Sequence, residues 1–144
     1  MAVKPVPDGY HTVTPYLCCK GAARVIEFLQ SAFGATVKDK TMRDDGTVWH
    51  ADLLIGDSHV MVSDGNEQFP PSTTGMYLYL SDVDAAYDRA VAAGGVSIMP
   101  PGDQFYGDRM GGVLDPAGNS WWISTHVEDV SPAEMERRRA AAGR

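Results

Sequence analysis

The sequence predicts an α+β fold made of two βαβββ units followed by a C-terminal helix. Three observations carry it. The order strand, helix, strand, strand, strand is legible twice along the 144 residues. Landmark glycines recur at a nearly constant offset, 61 from Gly34 to Gly95 and 62 from Gly56 to Gly118, as duplication requires. A polar stretch with two prolines, residues 64–74, separates the two patterns as a linker.

Each element follows from local chemistry. Residues 1–10 hold two prolines and Gly9 and read as an extended lead-in. His11 to Cys19 is rich in β-branched and aromatic residues, a strand signal, and Pro15 within it points to an edge strand or a bulge. From Ala22 to Phe33 the apolar residues Ile26, Leu29 and Phe33 fall on one helical face, with Gly34 as the stop. Strands are expected over 36–42, 48–55 and 59–63, the first two joined by the Asp44-Asp45-Gly46 turn. The second unit spans about 75–126. It has a strand at 75–80, a helix from an Asp82 or Asp84 cap to Ala93, and strands at 96–99, 109–114 and 120–125. Ser131-Pro132-Ala133-Glu134 is a capping box with proline at the first helical position, opening a helix to about Ala142.

Composition narrows the function. The length suits one domain over 1–144, with the first unit at about 11–63. A formal charge of −7 argues against nucleic acid and anionic membrane surfaces as partners. No apolar run approaches the ~20 residues of a membrane span, and the N-terminus has no signal-peptide core, so the cytoplasm is the expected location. Cys18 and Cys19 are adjacent, a poor geometry for a disulfide, and are read as reduced thiols.

In a βαβββ unit the helix buries one face of a small curved sheet and leaves the other concave. Two units side by side make a cupped half-barrel of mixed sheet, a natural ligand cleft. The phrases GYHTVTPYL at 9–17, VIEFLQSAFGA at 25–35, HAD at 50–52, DQFYGDR at 103–109, DPAGNSWW at 115–122 and THVEDVSPAEM at 125–135 resemble the vicinal oxygen chelate superfamily of glyoxalases, bleomycin-resistance proteins and extradiol dioxygenases, its PhnB-like branch in particular. The resemblance implies the glyoxalase/bleomycin-resistance fold and a homodimer. It also implies metal-ligand slots on the first and last strand of each unit. Those slots read Thr14, Val60, Gly75 and Trp122. Valine, glycine and tryptophan side chains bind no zinc, nickel or iron, so neither a metal nor another cofactor is expected. His59 stands one residue from a slot, and His11, His50 or His59 could supply a relocated site across a dimer.

What remains is aromatic. Trp122 in a former ligand slot points into the cup, and Trp49, Gln104, Tyr106 and Arg109 are further candidates for ligand binding. Gly107 supplies a bend; Gln104, Tyr106 and Arg109 supply a polar rim, unless Arg109 only pins the corner through Asp103, Asp108 or Asp115. If the protein is an enzyme, His50 is the general base by residue type, with Asp52 to orient it for proton transfer beside a carbonyl. The function read from the residues is metal-independent binding of a small aromatic or amphipathic molecule. The alternative is a lyase, isomerase or dioxygenase with a relocated metal.

Overall fold

The structure, a computed structural model, describes residues 2–143. Its elements are β1 (Tyr16–Cys19), α1 (Ala22–Phe33), β2 (Thr36–Met42), β3 (Val48–Ile55), β4 (Ser58–Asp64), β5 (Gly75–Tyr79), α2 (Val83–Ala92), β6 (Val96–Asp103), β7 (Asp108–Leu114), β8 (Ser120–His126) and α3 (Pro132–Ala141). The expected mixed β-structure is present as two open four-stranded sheets, ordered β1-β4-β3-β2 and β5-β8-β7-β6. In each, the first and last strands of a unit run parallel and the other pairs antiparallel.

One core joins the units. The apolar stripe of α1, including Val25, Phe28, Leu29 and Phe33, packs on Leu17, Ala51, Leu53, Val60 and Val62 of the first sheet, and the same cluster takes in Val83, Ala86 and Ala90 of α2 with Val113, Trp121 and Ile123 of the second sheet. The Phe33 and Trp121 rings meet at 5.5 Å across the boundary. Both sheets therefore turn their helix-covered faces to a shared interior. Their other faces are open.

Helix α1 has no N-cap side chain of its own. Asp64, at the end of β4, supplies one: its Oδ1 accepts the backbone N–H groups of Gly21 and Ala22 at 3.0 and 2.9 Å, and its Oδ2 that of Val48 at 2.7 Å. The C-terminus closes on Gly34, in the left-handed region at φ 66°. Helix α2 is capped by Asp82 and α3 by Ser131, whose Oγ accepts the Glu134 N–H.

Three local expectations shift. The first strand begins at Tyr16, not His11, because Pro15 has no N–H for the ladder and contributes only its carbonyl, to Met61 N at 2.9 Å. Strand β6 runs on through Pro100 and Pro101 to Asp103; as an edge strand it accommodates both prolines with two register shifts. The repeat offsets also differ from those the glycines suggest: β3 and β7 are related by 60, since Asp52 lies opposite Met61 and Gly112 opposite Trp122. Tyr16 pairs with Met61 and Tyr77 with Trp122, so 61 holds across the parallel pairs. The 62 between Gly56 and Gly118 comes from turns of unequal length, Ile55 to Ser58 in one unit and Leu114 to Ser120 in the other. Val60 consequently packs in the core, and the position matching Trp122 is Met61.

Candidate functional site

The open face of the second sheet is built around two adjacent tryptophans with opposite fates. Strand alternation sends Trp121 into the core, where its indole N–H donates to Asp115 at 2.8 Å, and Trp122 onto the open face. Trp122 lies opposite Gly112 on β7. A Cβ at Gly112 would stand 2.6 Å from the indole carbons Cε3 and Cζ3, so the missing side chain is what seats the ring across the sheet.

Trp122 forms a cavity of about 350 Å³ with Tyr77, Met99, Gln104, Tyr106 and Met110. Three residues singled out by sequence, Trp122, Gln104 and Tyr106, thus come together. Tyr106 Oη lies 3.8 Å from Met110 Sδ and 3.4 Å from Tyr77 Oη. Gln104 Nε2 donates to the Gly102 carbonyl at 3.1 Å. The walls are π-faces and thioethers, with no charged group among them. Such walls suit a planar apolar body.

The rim is pinned from behind. Gly107 sits at φ +100°, and a Cβ there would lie 2.2 Å from the Glu128 carbonyl oxygen. Its own carbonyl accepts the Val127 and Glu128 N–H groups at 2.9 and 3.1 Å. Arg138 of α3 ties down the same corner, donating to the Phe105 carbonyl and to both Glu128 oxygens.

Beside the cavity lies a buried carboxylate, Asp108. Its Oδ2 accepts from Tyr77 at 2.7 Å and Tyr79 at 3.0 Å, and its Oδ1 pairs with His126 Nδ1 at 2.8 Å. His126 Nε2 reaches Asp129 at 2.7 Å, so both ring nitrogens face carboxylates. Those two hydrogen bonds, Asp129 first and then Asp108, raise the imidazole pKa. Burial pushes Asp108 up, but the hydrogen bonds from His126, Tyr77 and Tyr79 outweigh it and leave the carboxyl below its usual range. Tyr77 is pushed well up by burial and by its bonds to Tyr106 and Asp108, and Tyr79 by its bond to Asp108, so both remain neutral donors.

Arg109 is not part of this cavity. Next to Asp108 on β7, it points the other way and clamps Asp84 of α2 with Nε and Nη2, both at 3.0 Å, and Asp103 with Nη1 at 3.3 Å. It pins the corner, and its guanidinium is committed to those carboxylates.

The first sheet brings together different residues. A bulge between Thr41 and Met42 lets Val48 enter the core and turns Trp49 out, so that Trp49, Tyr16, Cys18, Arg43 and Phe69 line a separate cavity of about 620 Å³. His50 lies against Tyr16, with ring centroids 5.9 Å apart, and against Trp49 at 6.3 Å. Asp52 does not orient it. The Asp52 carboxylate is held by His59 Nδ1, at 2.9 Å on Oδ1, and by the Tyr10 hydroxyl on Oδ2. The Tyr10 ring also stacks on His59, centroids 3.9 Å apart and 16° from parallel. The Tyr10–Asp52–His59 and Tyr77–Asp108–His126 clusters, and the thioethers Met99 and Met110, were not read from sequence. Alternation from Trp122 and Gly112 would have put Met110 on the cavity side; the two clusters join residues distant in sequence.

The family model for the glyoxalase/bleomycin resistance protein/dioxygenase superfamily matches residues 10–123. The chain belongs to that superfamily. An uncharacterized protein of Mycobacterium bovis is 32% identical over 142 residues, covering 91% of this chain and 93% of its own length. Among solved structures, TioX from Micromonospora sp. ML1 superposes with a TM-score of 0.70 at 27% identity, over 81% of this chain and 99% of its own. A PhnB protein from Bacillus cereus shares the fold, with a TM-score of 0.62 at 22% identity over 80% of this chain and 99% of its own.

The superfamily's ligand slots can now be read on the correct face. They hold Thr14, Met61, Gly75 and Trp122. Among the described residues no group of three or more histidine, cysteine, aspartate or glutamate side chains is arranged to hold a metal ion. His59 and Asp52 face each other but are only two, and Tyr10 covers them. These residues do not fit the superfamily's metal.

Proposed function

We propose that this protein is a metal-independent binder of a small planar aromatic or amphipathic molecule, held on the open face of the second sheet. The observation that carries the reading is Trp122: an indole, seated by Gly112, lines the open-face cavity at a slot that the resemblance assigns to a metal ligand. Tyr77, Tyr106, Met99 and Met110 extend that wall, and Gln104 offers one polar contact to orient the guest. Tyr79 is 63% exposed beside the cavity, and we propose that a second copy of the chain covers this rim in a homodimer. We place the protein in the cytoplasm, a reading supported by Cys18 and Cys19 as free thiols. No helix among the described residues is long and apolar enough to cross a membrane.

The test has two arms. Elemental mass spectrometry of untagged protein, with thermal shift against Ni²⁺, Zn²⁺, Mn²⁺ and Fe²⁺, should find no stoichiometric metal and no stabilising ion. Fluorescence titration with naphthalene, 1-naphthol, quinoline and acriflavine should find at least one saturable guest. Trp122→Ala should weaken that guest about tenfold or more, and Trp49→Phe should leave it unchanged. Stoichiometric metal, or a folded protein that takes up none of the four probes, sinks the reading.

A further inference from the structure

We propose that the open face of the first sheet carries a separate site selective for phenols, and that Tyr10 of the chain's own lead-in segment is its present occupant. The geometry is that of a bound ligand. The Tyr10 ring lies flat on the His59 imidazole, and its hydroxyl donates to Asp52 Oδ2 while His59 engages Oδ1. Asp52 is only 6% exposed, although it stands on a sheet face with no helix over it. Of its two acceptor oxygens, the sheet satisfies one. The other depends on a segment that belongs to no strand or helix.

Among the described residues, the side-chain hydrogen bond and the ring contact that tie this segment to the sheet both come from Tyr10. Of residues 2–13, all are exposed except Tyr10. Its other ties are local: a turn from Tyr10 N to the Pro7 carbonyl at 3.1 Å and an exposed Lys4–Asp8 pair. Between the segment, Thr14 just before β1, and Met61 of β4 there remains a cavity of about 520 Å³, so the lead-in does not fill the space it covers. Gly9 brings its backbone past His59, where a Cβ would stand 3.6 Å from Nε2. If the segment lifts, a buried carboxylate oxygen loses its donor and an imidazole face is uncovered. The chemistry that restores both is a planar ring bearing a hydroxyl. A free phenol must compete with a tethered one, so its apparent affinity in the intact protein is reduced by the fraction of molecules in which Tyr10 is displaced.

The probe is p-cresol, the tyrosine side chain as a free molecule, with toluene as its counterpart lacking the hydroxyl. In calorimetric titration Tyr10→Ala should bind p-cresol saturably and about tenfold or more tighter than the unmodified protein. It should prefer p-cresol to toluene, and adding Asp52→Leu, which removes both oxygens, should erase that preference. Equal p-cresol affinity in the unmodified protein and Tyr10→Ala overturns the proposal. So does a folded Tyr10→Ala that binds no p-cresol up to its solubility limit, or a preference that survives Asp52→Leu. Should Tyr10→Ala fail to fold, Tyr10→Phe decides. It keeps the stack and frees Asp52 Oδ2, so p-cresol should speed amide exchange of residues 8–13 more in Tyr10→Phe than in the unmodified protein; unchanged exchange overturns the proposal. Binding at the Trp122 cavity is a separate matter and is read in the same titrations with Trp122→Ala.

Discussion

The two sheets each hold a tyrosine–aspartate–histidine cluster on the open face, and the clusters differ in where their tyrosine comes from. Asp108 takes its hydroxyls from Tyr77 and Tyr79, both on β5 of the same sheet. Asp52 takes its hydroxyl from Tyr10, outside any strand. The histidines differ likewise. His126 stands between two carboxylates and is half exposed, whereas His59 has one carboxylate and lies beneath a ring. The second sheet satisfies its buried charge with its own scaffold, and its cavity stays open to a guest. The first sheet borrows a side chain, and the borrowed side chain occupies the face.

The largest expected effect separates the two faces of the second sheet. Trp121→Ala empties a fully buried site and should cost about 3–5 kcal/mol in urea unfolding, while Trp122→Ala should cost less than about 1 kcal/mol yet lose the guest. Equal costs would mean that the alternation is wrong. Next come the carboxylates. Asp108→Ala removes the acceptor of three hydrogen bonds and Asp52→Ala that of two, so at about 1 kcal/mol each the first should cost about 3 kcal/mol and the second about 2. A larger loss at Asp52 would reverse the contrast.

Titration sharpens it further. His126 has a raised pKa, so its contribution is fully present below its ordinary 6.5 and is lost as pH rises through the folded value. Asp108 has a lowered pKa, so its contribution is present above its ordinary 3.8 and is lost as pH falls through the folded value. The second sheet should therefore be most stable between the two, and His126→Gln should flatten the decline above pH 6.5 in melting-temperature profiles. The smallest effect belongs to Arg109→Ala. Its partners are exposed, so the loss should stay below about 1 kcal/mol, shrink in salt and leave guest binding unchanged.

Much of the architecture is written locally. The α1 stripe, the Gly34 stop, the Asp44-Asp45-Gly46 turn and the Ser131 cap each need only neighbouring residues, and the structure has them where the pattern puts them. The site is legible where it rests on alternation, as with Trp122. It fails where a local irregularity resets the count. The bulge at Thr41–Met42 turns Trp49 outward, and a shorter turn at Gly56 carries Val60 into the core in place of Met61. It fails again where partners are far apart in the chain. Arg109 finds Asp84 25 residues away, and Tyr10 finds Asp52 42 residues away. No spacing rule links such pairs.

The Asp64 cap on α1 has a consequence for the order of folding. A helix of 12 residues is marginal alone in water, and this one has no capping side chain at its own start. Its first turn is completed by a carboxylate that follows it by more than 40 residues. On a growing chain the helix therefore stays frayed at its N-terminus until β4 has been made and has returned beside β1. The first turn of α1 and the end of β4 are thus tied to one carboxylate, and hydrogen exchange should show them opening together.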